Sequence, residues 1–398
     1  MSKGLFAQAA SALKALSTRR IHTESDSIPF VIEGASLKKI LNWILVEASI
    51  PLKPSVPWGW PTHLQVEPTT LCNLRCALCP VTSGLSRSSP PGHMDPQLFK
   101  NLIDQVGDYL MLILLWDWGE PFLNPHVYDI IAYAKQRNIA VVSSTNGHPF
   151  AHRENARKLV HSGIDSLIVA VDGVTQEVYQ QYRQGGDLAT VLTGLRNLVA
   201  EKKAARAQNP LINLRLVVMR HNEHQVQELL QLGQDLGVDV VSLKTVNPHF
   251  ECSSDDLSLE VRESFLPQTV TYQRFKYEEN GTSRIQRNPP CKNLWNNPAI
   301  HADGTICACT FDHDELYAMG NLWQSSFKDI WGGRSYKQIR QQFRRDWRQL
   351  EICRDCTFAY EGGGYDERVN EVYVAPWAMD RFAQSEHAER VRELGDRH

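Results

Sequence analysis

The chain has 398 residues, 42% of them hydrophobic, and a formal net charge of −3. That length supports two or three domains around a sizeable core, and the near-neutral balance argues against a protein that holds nucleic acid through a general basic field. The longest continuous apolar run, Leu110–Trp116, falls far short of the ~20 residues that a membrane-spanning helix needs. Residues 1–23 contain no acid and carry Lys3, Lys14, Arg19 and Arg20, with Leu5, Ala9, Ala12, Leu13 and Leu16 at helical spacing. Their composition resembles a transit peptide, but without a secretory apolar core they read best as a surface amphipathic helix.

A second helical stripe follows at Leu37, Ile40, Leu41, Ile44 and Leu45, then a connector bearing Pro51, Pro54, Pro57, Pro61, Trp58 and Trp60. Residues 1–61 are thus expected to form a helical extension without strands. Such a stripe ordinarily packs on its own domain; it is also compatible with peripheral membrane contact through residues 1–60.

From about residue 63 to 245, short β-rich apolar runs alternate with amphipathic helices. The strands are expected at His63–Glu67, Met111–Trp116, Ile139–Ser143, Ser166–Val171, Leu211–Met219 and Val238–Leu243. Val127, Ile130, Ile131 and Ala134 mark one intervening helix, and Val226, Leu229, Leu230 and Gly233 another. Asp95-Pro96 has the form of a helix start. Six strand–helix units imply an α/β fold with a parallel sheet and right-handed crossovers, in effect a partial or complete βα barrel. Its active groups would lie at the C-terminal strand ends. Residues 249–290 read as a polar linker with one helix near Val261–Phe275. Residues 291–360 hold the remaining clustered cysteines, and 361–398, opening on Gly362-Gly363-Gly364, read as a mobile tail.

The nine cysteines are the unusual feature. An odd count without a secretory signal does not look like a disulfide framework; it suits a reducing, cytoplasmic location. Seven fall into tight groups, which points to metal or cluster binding. Cys72-x3-Cys76-x2-Cys79 directly follows the first strand. A cubane needs a ligand on each of four irons, so three thiolates leave one iron open. Zinc is the competing reading, but it would want a fourth ligand close at hand, and neither His63 nor His93 has suitable spacing.

This loop resembles that of the radical S-adenosylmethionine (SAM) enzymes, and the resemblance extends from about residue 62 to 358. In that superfamily the open iron chelates the amino and carboxylate groups of SAM, an electron from the cluster cleaves the sulfur–C5′ bond, and a 5′-deoxyadenosyl radical abstracts a substrate hydrogen. The resemblance implies a partial (β/α)6 TIM-like barrel over 62–248. It also implies cofactor contacts at Gly119 and Glu120 after the second strand, at Ser144 and Asn146 at the end of the third, and at Asp172 and Arg183. Leu78 stands where the family favours an aromatic residue, leaving a backbone contact to adenine. Ala170 replaces a serine of many relatives and is assigned no contact.

Cys291-x17-Cys309-x43-Cys353-x2-Cys356 resembles the shortened SPASM extension called a twitch domain, which implies one auxiliary 4Fe-4S cluster. The spacing from Gly304 selects Cys309 over Cys307, and Cys252 is expected to be a buried free thiol. A four-cysteine zinc knot remains the alternative at this second site.

By resemblance, the chain is an enzyme that uses SAM, a SAM-binding 4Fe-4S cluster and an auxiliary cluster that assists electron transfer. Its electrons would come from a flavodoxin- or ferredoxin-type donor. The expected reaction is oxidation or C–H modification of a small-molecule or lipid-like substrate. A peptide- or protein-modifying maturase is the alternative, and a non-catalytic iron–sulfur or zinc protein is the reading from another class. No catalytic acid or base is identified. Asp117, Trp118, His148 and Lys244 lie at or past strand ends, where they would face a substrate.

Overall fold

The computed structural model describes residues 2–83, 87, 89–247, 264–278, 283–364, 369–383, 385 and 387–395. The chain opens with a helix, Ser2–Thr18, and a hairpin of β1 (Ile21–Ser25) and β2 (Ile28–Ile32), followed by a helix at Leu37–Ser49. The hairpin corrects the expectation of a strand-free extension. Its turn is made by Asp26 and Ser27, at φ 50° and 60°. Both residues lie in the left-handed region that a tight hairpin turn requires, and neither is the glycine that would have advertised it.

The next six strands are parallel and adjacent in chain order: β3 (His63–Val66), β4 (Leu112–Leu114), β5 (Ala140–Thr145), β6 (Ser166–Ala170), β7 (Leu211–Val218) and β8 (Val240–Thr245). Each expected strand is present, shifted at its ends by up to two residues. The helix started by Asp95-Pro96 runs Pro96–Val106, with the Asp95 carboxylate accepting from the Gln97 amide at 2.6 Å.

Strand alternation divides the side chains between two cores. Leu64, Ile113, Val141, Leu167, Leu214 and Val241 pack against the surrounding helices. Leu112, Ala140, Val142, Ile168 and Val240 face the concave side. There they meet Ile21, Ile28, Phe30 and Ile32 of the hairpin, which plugs one end of the barrel. The stripe on helix Leu37–Ser49 is only partly used: Ile40 is buried, whereas Leu37, Leu41 and Leu45 are exposed.

Both edges of the sheet are extended from the C-terminal half. β9 (Ala299–Ile300) pairs parallel to β3, and β10 (Thr305–Cys307) and β11 (Ala318–Asn321) continue as an antiparallel meander. On the other edge, β12 (Val369–Val374) pairs antiparallel to β8, and β13 (Val391–Glu393) pairs parallel to β12. Part of the expected tail therefore belongs to the sheet, with Val372, Val374, Ala375 and Phe382 buried. In the expected linker helix, residues 265–275 form only a 3-10 turn at Val270–Tyr272. Residues 261–263 of that helix, and Cys252, lie outside the described residues; residue 264 is helical. Among those described, no helix is long and apolar enough to cross a membrane.

Candidate functional site

The first cysteine loop leaves β3 and is tied by its backbone to the segment after helix Gln176–Tyr182. The Arg75 amide donates to the Gln184 carbonyl at 3.0 Å and the Ala77 amide to the Tyr182 carbonyl at 3.1 Å. This brings Arg183 against the loop, its Nη1 3.6 Å from Cys76 Sγ. Arg183 Nε donates to Asp172 Oδ2 at 2.6 Å, and Asp172 Oδ1 accepts from the Val217 amide at 2.8 Å. Asp172 is fully buried, so the pair is a fixed strut and not a solvated contact. Leu78 is buried too, with Met219 and Val246 from beyond the ends of β7 and β8.

Gly119 is required by close approach: a Cβ there would lie 2.0 Å from the Thr69 carbonyl oxygen. The turn that follows places Glu120 at 2% exposure. One carboxylate oxygen accepts from Thr145 Oγ1 at 2.8 Å and the Phe122 amide at 3.3 Å, the other from the Asn146 amide at 2.7 Å. Burial pushes Glu120 up to about 7, against the pull of those donors. Asn146 Nδ2 in turn donates to Asn73 Oδ1 at 2.7 Å, linking the end of β5 to the cysteine loop. Ser144 is half-buried on the concave side of β5.

The expected cofactor residues thus converge on one end of the barrel. Asn73 and Thr145 join them; the sequence singled out neither as a contact, because both act on Glu120 or its neighbours across strands. His148 is a correction. Its ring nitrogens are engaged by Asn146 Oδ1 and the Asp187 amide, at 3.1 and 3.0 Å, and it is not among the residues that line the cavity holding Asp117, Trp118 and Lys244.

In the second set, Asn293 Nδ2 donates to Cys309 Sγ at 3.4 Å, whereas Cys307 Sγ stands 3.8 Å from His301 Nδ1 on another side. Cys353 and Cys356 lie on and just after the short helix Glu351–Arg354. Barrel and C-terminal domain are joined by buried polar contacts. Arg87 bridges Glu67, at 2.7 Å, and the His313 carbonyl, at 2.6 Å. Thr310 Oγ1 donates to Asp117 Oδ1 at 3.0 Å. Burial, and Glu67 nearby, push Asp117 up to about 7.

Between these parts lies a cavity of about 450 Å³, walled by Asp117, Trp118 and Lys244 of the barrel, Asp26 of the hairpin turn, and Lys292 and Thr310 of the C-terminal domain. Asp26 Oδ2 is 2.7 Å from Arg215 Nη1 and 3.8 Å from Lys244 Nζ.

The cysteine sites suit iron–sulfur clusters. Burial pushes Cys79 and Cys309 each up to about 12, a penalty on the thiolate that a bound cationic centre would offset. Among the described residues, no three His, Cys, Asp or Glu side chains stand close enough to share one metal ion. The cysteines are grouped by their loops and not by drawn-together sulfurs.

Residues 66–233 match the radical SAM superfamily model, and residues 291–357 match SPASM, described as an iron–sulfur cluster-binding domain. The tungsten-containing aldehyde ferredoxin oxidoreductase cofactor-modifying protein of Pyrococcus furiosus is 27% identical over 321 residues, covering 74% of this chain and 87% of that protein. Mycofactocin maturase MftC of Mycobacterium ulcerans is 29% identical over 177 residues, 44% of this chain and 45% of its own length, so this match spans less than half of that relative. The solved structure of Streptococcus suis SuiB bound to its precursor peptide SuiA aligns with a TM-score of 0.53 at 13% identity, covering 76% of this chain and 71% of that one. At that identity the likeness speaks for the fold alone. The chain therefore belongs to the radical SAM superfamily with a SPASM domain, and its cofactors are SAM and 4Fe-4S clusters.

Proposed function

We propose that this chain is an enzyme that oxidises or otherwise modifies a C–H bond of a small polar substrate held in the cavity between barrel, hairpin and SPASM domain. The observation that carries this reading is the cavity itself. At about 450 Å³ it is within the ordinary range for small-molecule sites, and the hairpin closes the end of the barrel behind it. Its charged walls suit a polar metabolite better than an acyl chain.

Cys72, Cys76 and Cys79 would hold the SAM-binding cluster; Cys291, Cys309, Cys353 and Cys356 would hold the auxiliary one, leaving Cys307 on His301. When bound, the first cluster and SAM supply hydrogen abstraction by reductive cleavage of the sulfonium. Glu120 has acceptor capacity left for an N–H of the SAM amino group. Asn146 fixes the loop around it, Ser144 faces the same end, and the Leu78 backbone offers an adenine contact. Arg183, held by Asp172, supplies the positive charge for a carboxylate. Asp117 takes the proton that leaves the substrate, since its carboxyl sits on the cavity wall with an acidity suited to exchange near neutral pH. A flavodoxin- or ferredoxin-type donor in a reducing, cytoplasmic compartment would supply electrons.

Modification of a peptide or protein is the second reading, in keeping with the similarity to a maturase. Anaerobic reduction with SAM tests the enzymatic readings together. Formation of 5′-deoxyadenosine well above a Cys76→Ala control is expected, and its absence refutes them in favour of a non-catalytic iron–sulfur or zinc protein. Transfer of deuterium from labelled metabolites or labelled peptides into that product separates the substrate classes.

A further inference from the structure

The helix Arg334–Asp346 lies in the SPASM domain with Tyr336, Ile339, Arg340 and Phe343 buried. Its opposite face presents Arg334, Lys337, Arg344 and Arg345 to solvent, and Arg348 follows just past its end. None of Arg334, Lys337, Arg344 and Arg345 makes an ion pair among the described residues. From Phe327 to Leu350 the chain carries seven Lys or Arg and only two acids, Asp329 and Asp346, in a protein of net charge −3. Both acids are engaged locally, Asp329 by Ser326 and Asp346 by Gln349 and the Arg348 amide. This segment therefore carries a local positive excess of seven cations over two acids.

Beside the helix runs an open groove of about 680 Å³, with Leu316, Met319, Ile339 and Leu350 along it and Arg345 at its rim. Leu316 is 50% exposed. An apolar strip edged by unpaired cations is the pattern of a transient protein interface, in which the charges steer the encounter and the strip holds it. The groove also borders the cysteine pair. The Leu350 carbonyl accepts from the Cys353 amide at 2.9 Å, and Tyr317 Oη accepts from the Glu351 amide at 3.0 Å.

We propose that this basic helix face and its groove are the docking surface for an acidic one-electron carrier protein of the flavodoxin or ferredoxin type. The proposal rests on the reading of Cys353 and Cys356 as cluster ligands. One electron leaves the reduced carrier, which becomes oxidised by one, and enters the iron–sulfur centre beyond Leu350; no bond forms or breaks. Position decides against a nucleic acid as occupant. A polyanion gains nothing from a groove at the cluster, whereas an electron carrier must approach it closely.

The test is a binding titration of the reconstituted holoenzyme with purified oxidised flavodoxin across a salt series, with no turnover. Binding that weakens steeply with salt is expected, with a loss of tenfold or more in Arg344→Glu/Arg345→Glu and a smaller loss in Arg344→Gln/Arg345→Gln. Lys203→Glu/Arg206→Glu, a charge change on a different basic surface, leaves binding at the wild-type level. Circular dichroism and iron content confirm that each variant is folded and loaded. No flavodoxin binding by the wild type, equal binding by the Glu variant, or an equal loss in the Lys203/Arg206 control overturns the proposal. So does tighter binding of transfer RNA than of flavodoxin, lost in the Glu variant. An iron count near that of a single cluster refutes the ligand reading separately, because the charge-dependent binding is measured without it.

Discussion

Arg183 holds two partners at once: its Nη1 lies 3.6 Å from Cys76 Sγ while its Nε donates at 2.6 Å to Asp172 Oδ2. The guanidinium therefore spans the gap between the cysteine loop and the end of β6. Removing its carboxylate leaves a buried cation uncompensated, which typically costs about 3–5 kcal/mol. Asp172→Ala is expected to lower the urea midpoint of unfolding accordingly at pH 7.5. An unchanged midpoint would show that the strut contributes nothing to the fold.

Glu120 predicts a pH dependence of SAM binding. Its folded acidity, about 7, lies above the ordinary carboxylate value. The protonated form is thus favoured in the folded protein, and stability declines as pH rises through that interval. A SAM amino group donating its N–H to the carboxylate favours the ionised form, so binding below pH 7 expels a proton, and affinity falls by about tenfold per unit of further acidification. Calorimetry in two buffers of different ionisation enthalpy checks the proton release. Glu120→Gln abolishes the slope and weakens binding by about 1.5–3 kcal/mol, the range for a hydrogen bond to a charged group.

Gly119→Ala tests the close approach to Thr69. The added Cβ would sit 2.0 Å from a backbone oxygen that cannot yield as a side-chain tip would. The turn must shift and take Glu120 with it. The expected result is loss of SAM binding together with a destabilisation of at least about 1–3 kcal/mol. Wild-type SAM affinity in this variant would mean that Glu120 is not placed by the turn.

The two neighbouring cysteines separate by iron content. With Cys307 beside His301 and Cys309 beside Asn293, Cys309→Ser is expected to reduce the reconstituted iron from about eight to about four per chain. Cys307→Ser leaves it near eight. The reverse result would move the auxiliary ligand to Cys307.

The six parallel strands were legible because each is a short apolar run set off by helical periodicity, which is local information. The cysteine loops were legible for the same reason: their ligands are spaced along the chain before they are spaced in space. Glu120, Asp172 and Arg183 could be nominated by motif resemblance. Their partners could not, because Thr145, Asn73 and the Val217 amide reach them across strands, and no local pattern encodes a cross-strand hydrogen bond. The hairpin escaped notice because Asp26-Ser27 lacks the glycine that usually marks such a turn. β12 escaped because its short run follows a glycine-rich segment, and nothing local shows that it will pair with β8, more than a hundred residues earlier.

By composition the chain is a near-neutral protein of ordinary make-up whose unusual feature is its nine cysteines. By itself the sequence located the six parallel strands and grouped the cysteines along the chain, consequences of periodicity and short-range spacing, while the cofactor class came from its resemblance to the radical SAM enzymes. Tertiary structure alone decided that a hairpin plugs the barrel and that Asp117 and Lys244 share a cavity wall with Asp26. It also decided that the C-terminal segment extends the sheet beyond β8. These depend on contacts between distant segments, which form only when the hydrophobic faces of those segments are buried together.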